Sequence, residues 1–292
     1  MKEILQRLKQ VNYFINWYSL SLRPGKWFSV YRGAGMEFEK ISRYDFGEDP
    51  RWINWKATAR FGGMRTYKNT YFEERELRLM LLVDLSGSMD FGSGRASKRR
   101  LSAEVAAVLT HSALRFGDSI GCIGYSSGID VYWPPGKKRE YIYQIPNSLL
   151  AARSATRSGS GLSLAVERLP RKRALVFILS DFFDDPPVLG RALEAARRRH
   201  DVVPIMLRDR RESELPALRG SFRLRDLEDG GVQRVWIGEK KARAFAEYVE
   251  GQDREVQALF SRYRLDGLRL CPDEDYIPPL ARLFLSRRRR RA

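Results

Sequence analysis

From Glu76 onward the chain alternates between short apolar runs and longer stretches whose apolar residues recur every three or four positions. The runs are Leu77–Val83, Ser119–Tyr125, Gly128–Trp133, Ala174–Leu179, Val202–Leu207 and Leu268–Cys271. Between them the helical period marks residues 95–116, 139–151, 161–169, 187–199 and 239–264, with a last helix near 276–288. In the first of these, Leu101, Val105, Val108, Leu109 and Ser112 share one face. Continuous apolar strands separated by helices predict a doubly wound, mostly parallel six-stranded α/β sheet covered on both faces. The gap at Ser126-Ser127-Gly128 is too short for a crossover, so one strand is expected to run antiparallel at an edge.

Three segments break the alternation. Near the start, Ile4, Leu8, Val11, Ile15 and Tyr18 follow a three-four spacing, which predicts an amphipathic helix. Residues 20–75 are rich in glycine, aromatics and alternating charge, as expected of strands and turns wrapped on the main domain. Within them "GEDPRWINWKATAR" carries a helix start, with Asp49 as cap and Pro50 at the first position. Trp52 and Trp55, three apart, are expected to pack on one face. Residues 211–237 contain Asp229-Gly230-Gly231 between apolar runs and read as an inserted hairpin. The expected organisation is therefore an extension over 1–75 packed on a main domain over 76–292.

Composition narrows the function classes. A hydrophobic content of 43% over 292 residues supports a substantial core. Cys122 and Cys271 lie in or beside apolar runs and lack neighbours at zinc-ligand spacing, which favours buried thiols and a reducing compartment. No window approaches the ~20 apolar residues of a membrane span, and no signal-peptide pattern opens the chain, so a cytoplasmic location is expected. The net charge of +17 favours acidic partners. Its clusters at Lys98–Arg100, Lys137–Arg139, Arg171–Arg173 and Arg197–Arg199 fall at helix ends or turns, where solvated cations are cheap. Arg287–Arg291 forms a basic tail. No common nucleic-acid motif accompanies them, so specific nucleic-acid binding is not expected. The N-terminal helix or the arginine tail could still touch an anionic membrane surface.

Candidate chemistry gathers where strands end in acids. "LMLLVDLSGSMD" runs a greasy strand into Asp84, Ser86 and Ser88, and "ALVFILSDFFDD" ends another strand in Asp181. "RSGSGLSLAVERL" places Ser160 in a glycine-bracketed loop before a helix. In an open parallel sheet such residues meet at the carboxyl rim, near the point where strand order reverses. Two carboxylates brought close there need a compensating cation or proton. Asp84, Ser86, Ser88, Ser160 and Asp181 form a hard-oxygen set suited to Mg2+, with Mn2+ as the alternative. The bland alternative is that Ser86, Ser88 and Asp90 merely turn the chain and cap the next helix.

The Asp-x-Ser-x-Ser after a buried strand, the later loop hydroxyl and the final Ser-Asp resemble the metal-ion-dependent adhesion site of von Willebrand factor A domains. On that resemblance the five residues fill the site, with the serines as direct ligands; Ser160 stands where threonine is more usual. The chain as a whole resembles the bacterial domain-of-unknown-function family numbered fifty-eight. The resemblance rests on "GAGMEFEKISRYDFGEDPRWINWKATAR", "YFEERELRLMLLVDLSGSM" and "DEDYIPPLARLFLSRRRR", with Asn54 where the family commonly has aspartate. It implies a von Willebrand factor A-like fold and a MoxR-type AAA+ ATPase as partner. It also implies a non-enzymatic role, in which a bound metal docks an Asp or Glu carboxylate of a partner protein. A phosphatase of the haloacid dehalogenase type needs a second acid two residues after its nucleophile, where this chain has Ser86. A serine hydrolase would need His111 or His200 as base, and no Gly-x-Ser-x-Gly elbow is present.

Overall fold

The computed structural model describes residues 35–62, 65–74, 77–94, 96–152, 161–213, 220–225 and 231–289. The expected N-terminal helix and Ser160 lie outside them. The chain divides into two compact units, one within Arg23–Leu77 and one carrying Arg78–Ala292.

In the smaller unit, β1 (Gly35–Arg43) pairs antiparallel with β2 (Tyr67–Glu74). The helix expected after Asp49 is split in two. Asp49 caps a 3-10 turn over Pro50–Trp52, and Asn54 then caps a separate helix, α1 (Trp55–Arg60), accepting from Ala57 N at 2.9 Å. The Asn54 amide also donates to Asn69 Oδ1 at 2.7 Å. The break at Ile53 places the two tryptophans on different elements. The expectation that both pack is therefore corrected: Trp52 is 37% and Trp55 70% exposed.

The larger unit is built on six strands. They are β3 (Arg78–Asp84), β4 (Ser119–Tyr125), β5 (Ile129–Gly136), β6 (Leu175–Ser180), β7 (Asp201–Leu207) and, after a separate pair, β10 (Leu268–Leu270). Their spatial order is β10-β7-β6-β3-β4-β5, with β5 antiparallel to β4 and all other pairs parallel. This is the expected doubly wound sheet with one antiparallel edge. Sequence order runs outward from β3 in both directions, so the switch point lies between β3 and β6.

The connecting helices are α2 (Lys98–Arg115), α3 (Tyr141–Ala151), α4 (Gly161–Glu167), α5 (Pro186–Arg199) and the short α6 (Arg210–Ser213). The inserted hairpin forms as β8 (Gly220–Arg225) antiparallel to β9 (Val232–Ile237). The long α7 (Glu239–Arg262) and α8 (Ile277–Arg289) complete the unit.

The central strands β3, β4, β6 and β7 are largely apolar because both faces are buried, whereas the edge strands β5 and β10 alternate between buried or half-buried and exposed residues. Met80, Leu82, Val176 and Ile178 join Leu189, Leu193, Val256 and Phe260 in one core cluster. Alternate residues turn the other way, and Phe177 meets Phe284 of α8 edge to face at 6.0 Å. Each such fully buried side chain contributes about 1.5–3 kcal/mol. Gly161, the first residue of α4, lies against the Ser126 carbonyl; a Cβ there would stand 1.8 Å from that oxygen. Among the described residues no helix is long and apolar enough to cross a membrane.

Candidate functional site

Asp84 closes β3 and Asp181 follows β6 directly, so parallel pairing from Leu79↔Leu175 to Val83↔Leu179 brings both to one rim. Both are buried, as is Ser86. Asp84 Oδ1 accepts from Ser86 N at 2.9 Å, and its Oδ2 accepts from the Ser180 hydroxyl at 2.7 Å. Ser88 donates its hydroxyl to Asp181 Oδ2 at 2.7 Å, and the Ser86 and Ser88 oxygens stand 3.2 Å apart. The structure thus gathers four of the five expected residues.

Ser86 occupies the cap position of the 3-10 turn Gly87–Asp90, yet its side chain makes no capping bond. The following helix α2 is capped by Ser97, which accepts from Arg100 N at 3.3 Å. Capping therefore does not account for the two serines.

The loop after β6 is held under strain. Ser180 accepts from Phe182 N at 2.9 Å, and Asp181 Oδ1 accepts from Phe183 N at 3.2 Å. Phe182 itself has φ +54°, a left-handed conformation uncommon outside glycine and asparagine. Its ring is buried edge to face on Phe260 at 5.2 Å, and that packing offsets the backbone cost. The result is an Asp181 carboxylate fixed toward β3.

The cation beside these carboxylates was not legible as such. Lys98, expected to be solvated, is fully buried; its ammonium donates to Asp181 Oδ2 at 2.9 Å and also to Glu212 in α6. Arg99 is buried as well, donating to Leu85 O at 2.9 Å and Ala152 O at 2.6 Å and pairing with Asp90. The solvated reading of this cluster is corrected: partners contributed by distant elements offset the cost of desolvating its cations. Ser180 is the other residue missed. It lies in the quoted strand end, but a serine there is too common to signal a contact with an acid 96 residues away.

Neighbouring groups brace the rim. Asp209, after β7, accepts from Ser93 N at 2.8 Å and Oγ at 2.5 Å and from Arg211 N at 2.9 Å. Burial alone would raise its pKa, but these bonds and the Lys98 charge hold the carboxyl below its ordinary value. Arg208 is buried and donates through Nε and Nη2 to Asp253 of α7 at 2.9 and 2.7 Å. Its guanidinium lies 3.8 Å from the Phe183 ring centre.

The donor set can be tested against a hard divalent cation. Among the described residues no group of three or more His, Cys, Asp or Glu side chains is placed to hold a metal ion. The oxygen set here is instead two hydroxyls backed by two carboxylates. Octahedral ligands at about 2.1 Å place adjacent oxygens about 3.0 Å apart, close to the Ser86–Ser88 spacing. A hydroxyl that gives its proton to a carboxylate, as Ser88 does, turns lone-pair density the other way, as a metal ligand requires. Ser88 is half-buried, the most accessible of the four. The residues fit such an ion.

Residues 40–256 match the family described as "Protein of unknown function DUF58". An uncharacterized protein of Mycobacterium tuberculosis is 29% identical over 261 residues, covering 88% of this chain and 81% of its own. Two solved structures are similar at low identity. An aerotolerance-related membrane protein from Bacteroides fragilis matches at 12% identity and TM-score 0.41, covering 73% of this chain and 99% of that one. The SpRpn10 VWA domain matches at 13% and 0.39, covering 70% and 94%. The strand arrangement described above is that of an α/β fold, a mostly parallel six-stranded sheet with flanking helices.

Proposed function

We propose, for a chain that belongs to the DUF58 family, a non-enzymatic protein-docking module whose carboxyl rim recognises an Asp or Glu side chain of its partner. Ser86 and Ser88 hold a Mg2+ ion directly, with Mn2+ able to replace it. Ser160 is assigned as the third hydroxyl, and Asp84 and Asp181 stand behind. When bound, such an ion supplies a positively charged position that a partner carboxylate can complete. The chain's own residues orient the two hydroxyls, hold both carboxylates in place by hydrogen bonds and keep the rear of the site dry.

One observation carries the reading. The Ser86 hydroxyl forgoes its capping bond and faces Ser88, which in turn reaches Asp181 across 93 residues of sequence. A phosphoryl-transfer reading is disfavoured by residue identity, because Ser86 stands two residues after Asp84, where a general acid is needed. We further propose a MoxR-type AAA+ ATPase as partner in assembling, activating or remodelling other proteins, in the cytoplasm. That part rests on the family resemblance.

The test is affinity capture from the native cell with Mg2+ or with chelator, comparing wild type with Asp84→Ala. Recovery of a AAA+ ATPase or its client should require both Mg2+ and Asp84. Equal recovery by an Asp84→Ala protein of unchanged circular dichroism would rule out metal-bridged docking.

A further inference from the structure

At the opposite rim of the sheet, where the parallel strands begin, lies a second polar site. A cavity of about 80 Å³ is lined by Arg173 before β6, Arg197 at the end of α5, and His200 and Asp201 at the start of β7. Arg264 and Asp266 before β10 and Arg287 of α8 close it. Arg287 spans the two acids, donating to Asp201 at 2.6 Å and Asp266 at 2.9 Å. Four guanidinium groups line the cavity against two carboxylates, an excess of two positive charges.

Two features mark this as a site for a ligand. His200 is only 3% exposed, and its Nδ1 has no hydrogen-bond partner among the described residues, although a buried polar atom beside a polar cavity is expected to find one. Burial, then the charges of Arg199 and Arg173, lower its pKa and so favour the neutral imidazole, which can carry its proton on Nδ1. Arg264 holds φ +51°, at a helix end where glycine is the usual residue. Neither Arg264 nor Arg197 pairs with a carboxylate among the described residues.

The size of the cavity limits the occupant. Pockets for drug-sized molecules run from about 300 Å³ upward, so 80 Å³ takes only a small ion or the end of a larger ligand. Arg197 and Arg264 also line an adjoining, more open cavity of about 290 Å³, which includes the Tyr263 side chain. We propose that this paired cavity binds a small phosphate monoester. Its phosphate sits among Arg173, Arg197, Arg264 and the His200 Nδ1–H, and its organic part lies beside Tyr263. Guanidinium forks match phosphate geometry, and a monoester near two negative charges balances the excess.

Isothermal titration at fixed ionic strength with inorganic phosphate, glycerol phosphate and adenosine monophosphate tests this. Saturable binding of phosphate and of at least one ester is expected, weakened roughly tenfold or more in Arg197→Ala/Arg264→Ala. In the wild-type protein the His200 imidazole resonances should move with phosphate and stay still with equal chloride, a readout independent of how the variant folds. A stronger response to the nucleotide than to glycerol phosphate identifies a nucleoside as the organic part, and the reverse a polyol. Absence of saturable phosphate binding, exclusion of both esters, or unmoved His200 resonances at saturation overturns the proposal.

Discussion

Replacing Lys98 by methionine keeps most of its volume and removes its charge. In the folded chain that ammonium is fully buried, 2.9 Å from Asp181 and bonded also to Glu212. At an effective dielectric constant of about 20 the Asp181 pair alone is worth about 6 kcal/mol before desolvation. Breaking a buried pair from one side costs about 3–5 kcal/mol net, because the surviving carboxylate is left without its counter-ion. For a unit of this size each kcal/mol moves the melting temperature by about 2–4 °C, so Lys98→Met should melt on the order of 10 °C lower in chelator. Thermal unfolding followed by circular dichroism measures this, with Lys98→Arg as the charge-retaining control. Excess Mg2+ should restore more stability to the methionine variant than it adds to wild type, since Asp181 regains a cation. A solvated lysine would cost under about 0.5 kcal/mol. A shift below about 2 °C in chelator would therefore refute the buried counter-ion.

Three further outcomes are expected. Ser86→Ala/Ser88→Ala should weaken Mn2+ binding by roughly tenfold or more, read from the free-ion electron paramagnetic resonance signal; unchanged affinity would place the cation elsewhere. Gly161→Ala should destabilise by about 1–3 kcal/mol in urea unfolding, since its Cβ meets the Ser126 carbonyl, and an unshifted midpoint would show that this contact yields. Burial chiefly, with Arg199 and Arg173 for His200 and Arg115 for His111, lowers both histidine pKa values below 6.5. The unfolded chain then takes up protons first on acidification, so stability should be full above pH 6.5 and fall below it. Denaturant titrations of His200→Gln should show a shallower fall than wild type.

The central strands were legible because each is a nearly uninterrupted apolar run, and burial on both faces is what such a run demands. The turn at Ser126–Gly128 was equally legible, since three residues permit only an antiparallel return. Asp84, Ser86, Ser88 and Asp181 could be read together because a parallel sheet brings its strand ends to one rim. Lys98 could not. Its burial depends on Asp181 and on Glu212, 114 residues away, and nothing local distinguishes it from a solvated helix-end lysine. The tryptophans misled for a local reason: spacing of three implies one face only if the helix is continuous, and Asn54 restarts it.

The two edges of the sheet carry a consequence for association. At one edge β5 ends in Trp133-Pro134-Pro135-Gly136, and consecutive prolines offer no N–H to an incoming chain. At the other, β10 is three residues long, too short to template a new partner. A neighbouring molecule therefore gains little by adding a strand to either side. That bars the commonest route from an open sheet to fibrous aggregates, and it bars recognition by strand addition as well. On this sheet, binding is left to side chains at the ends of the strands or on the flanking helices.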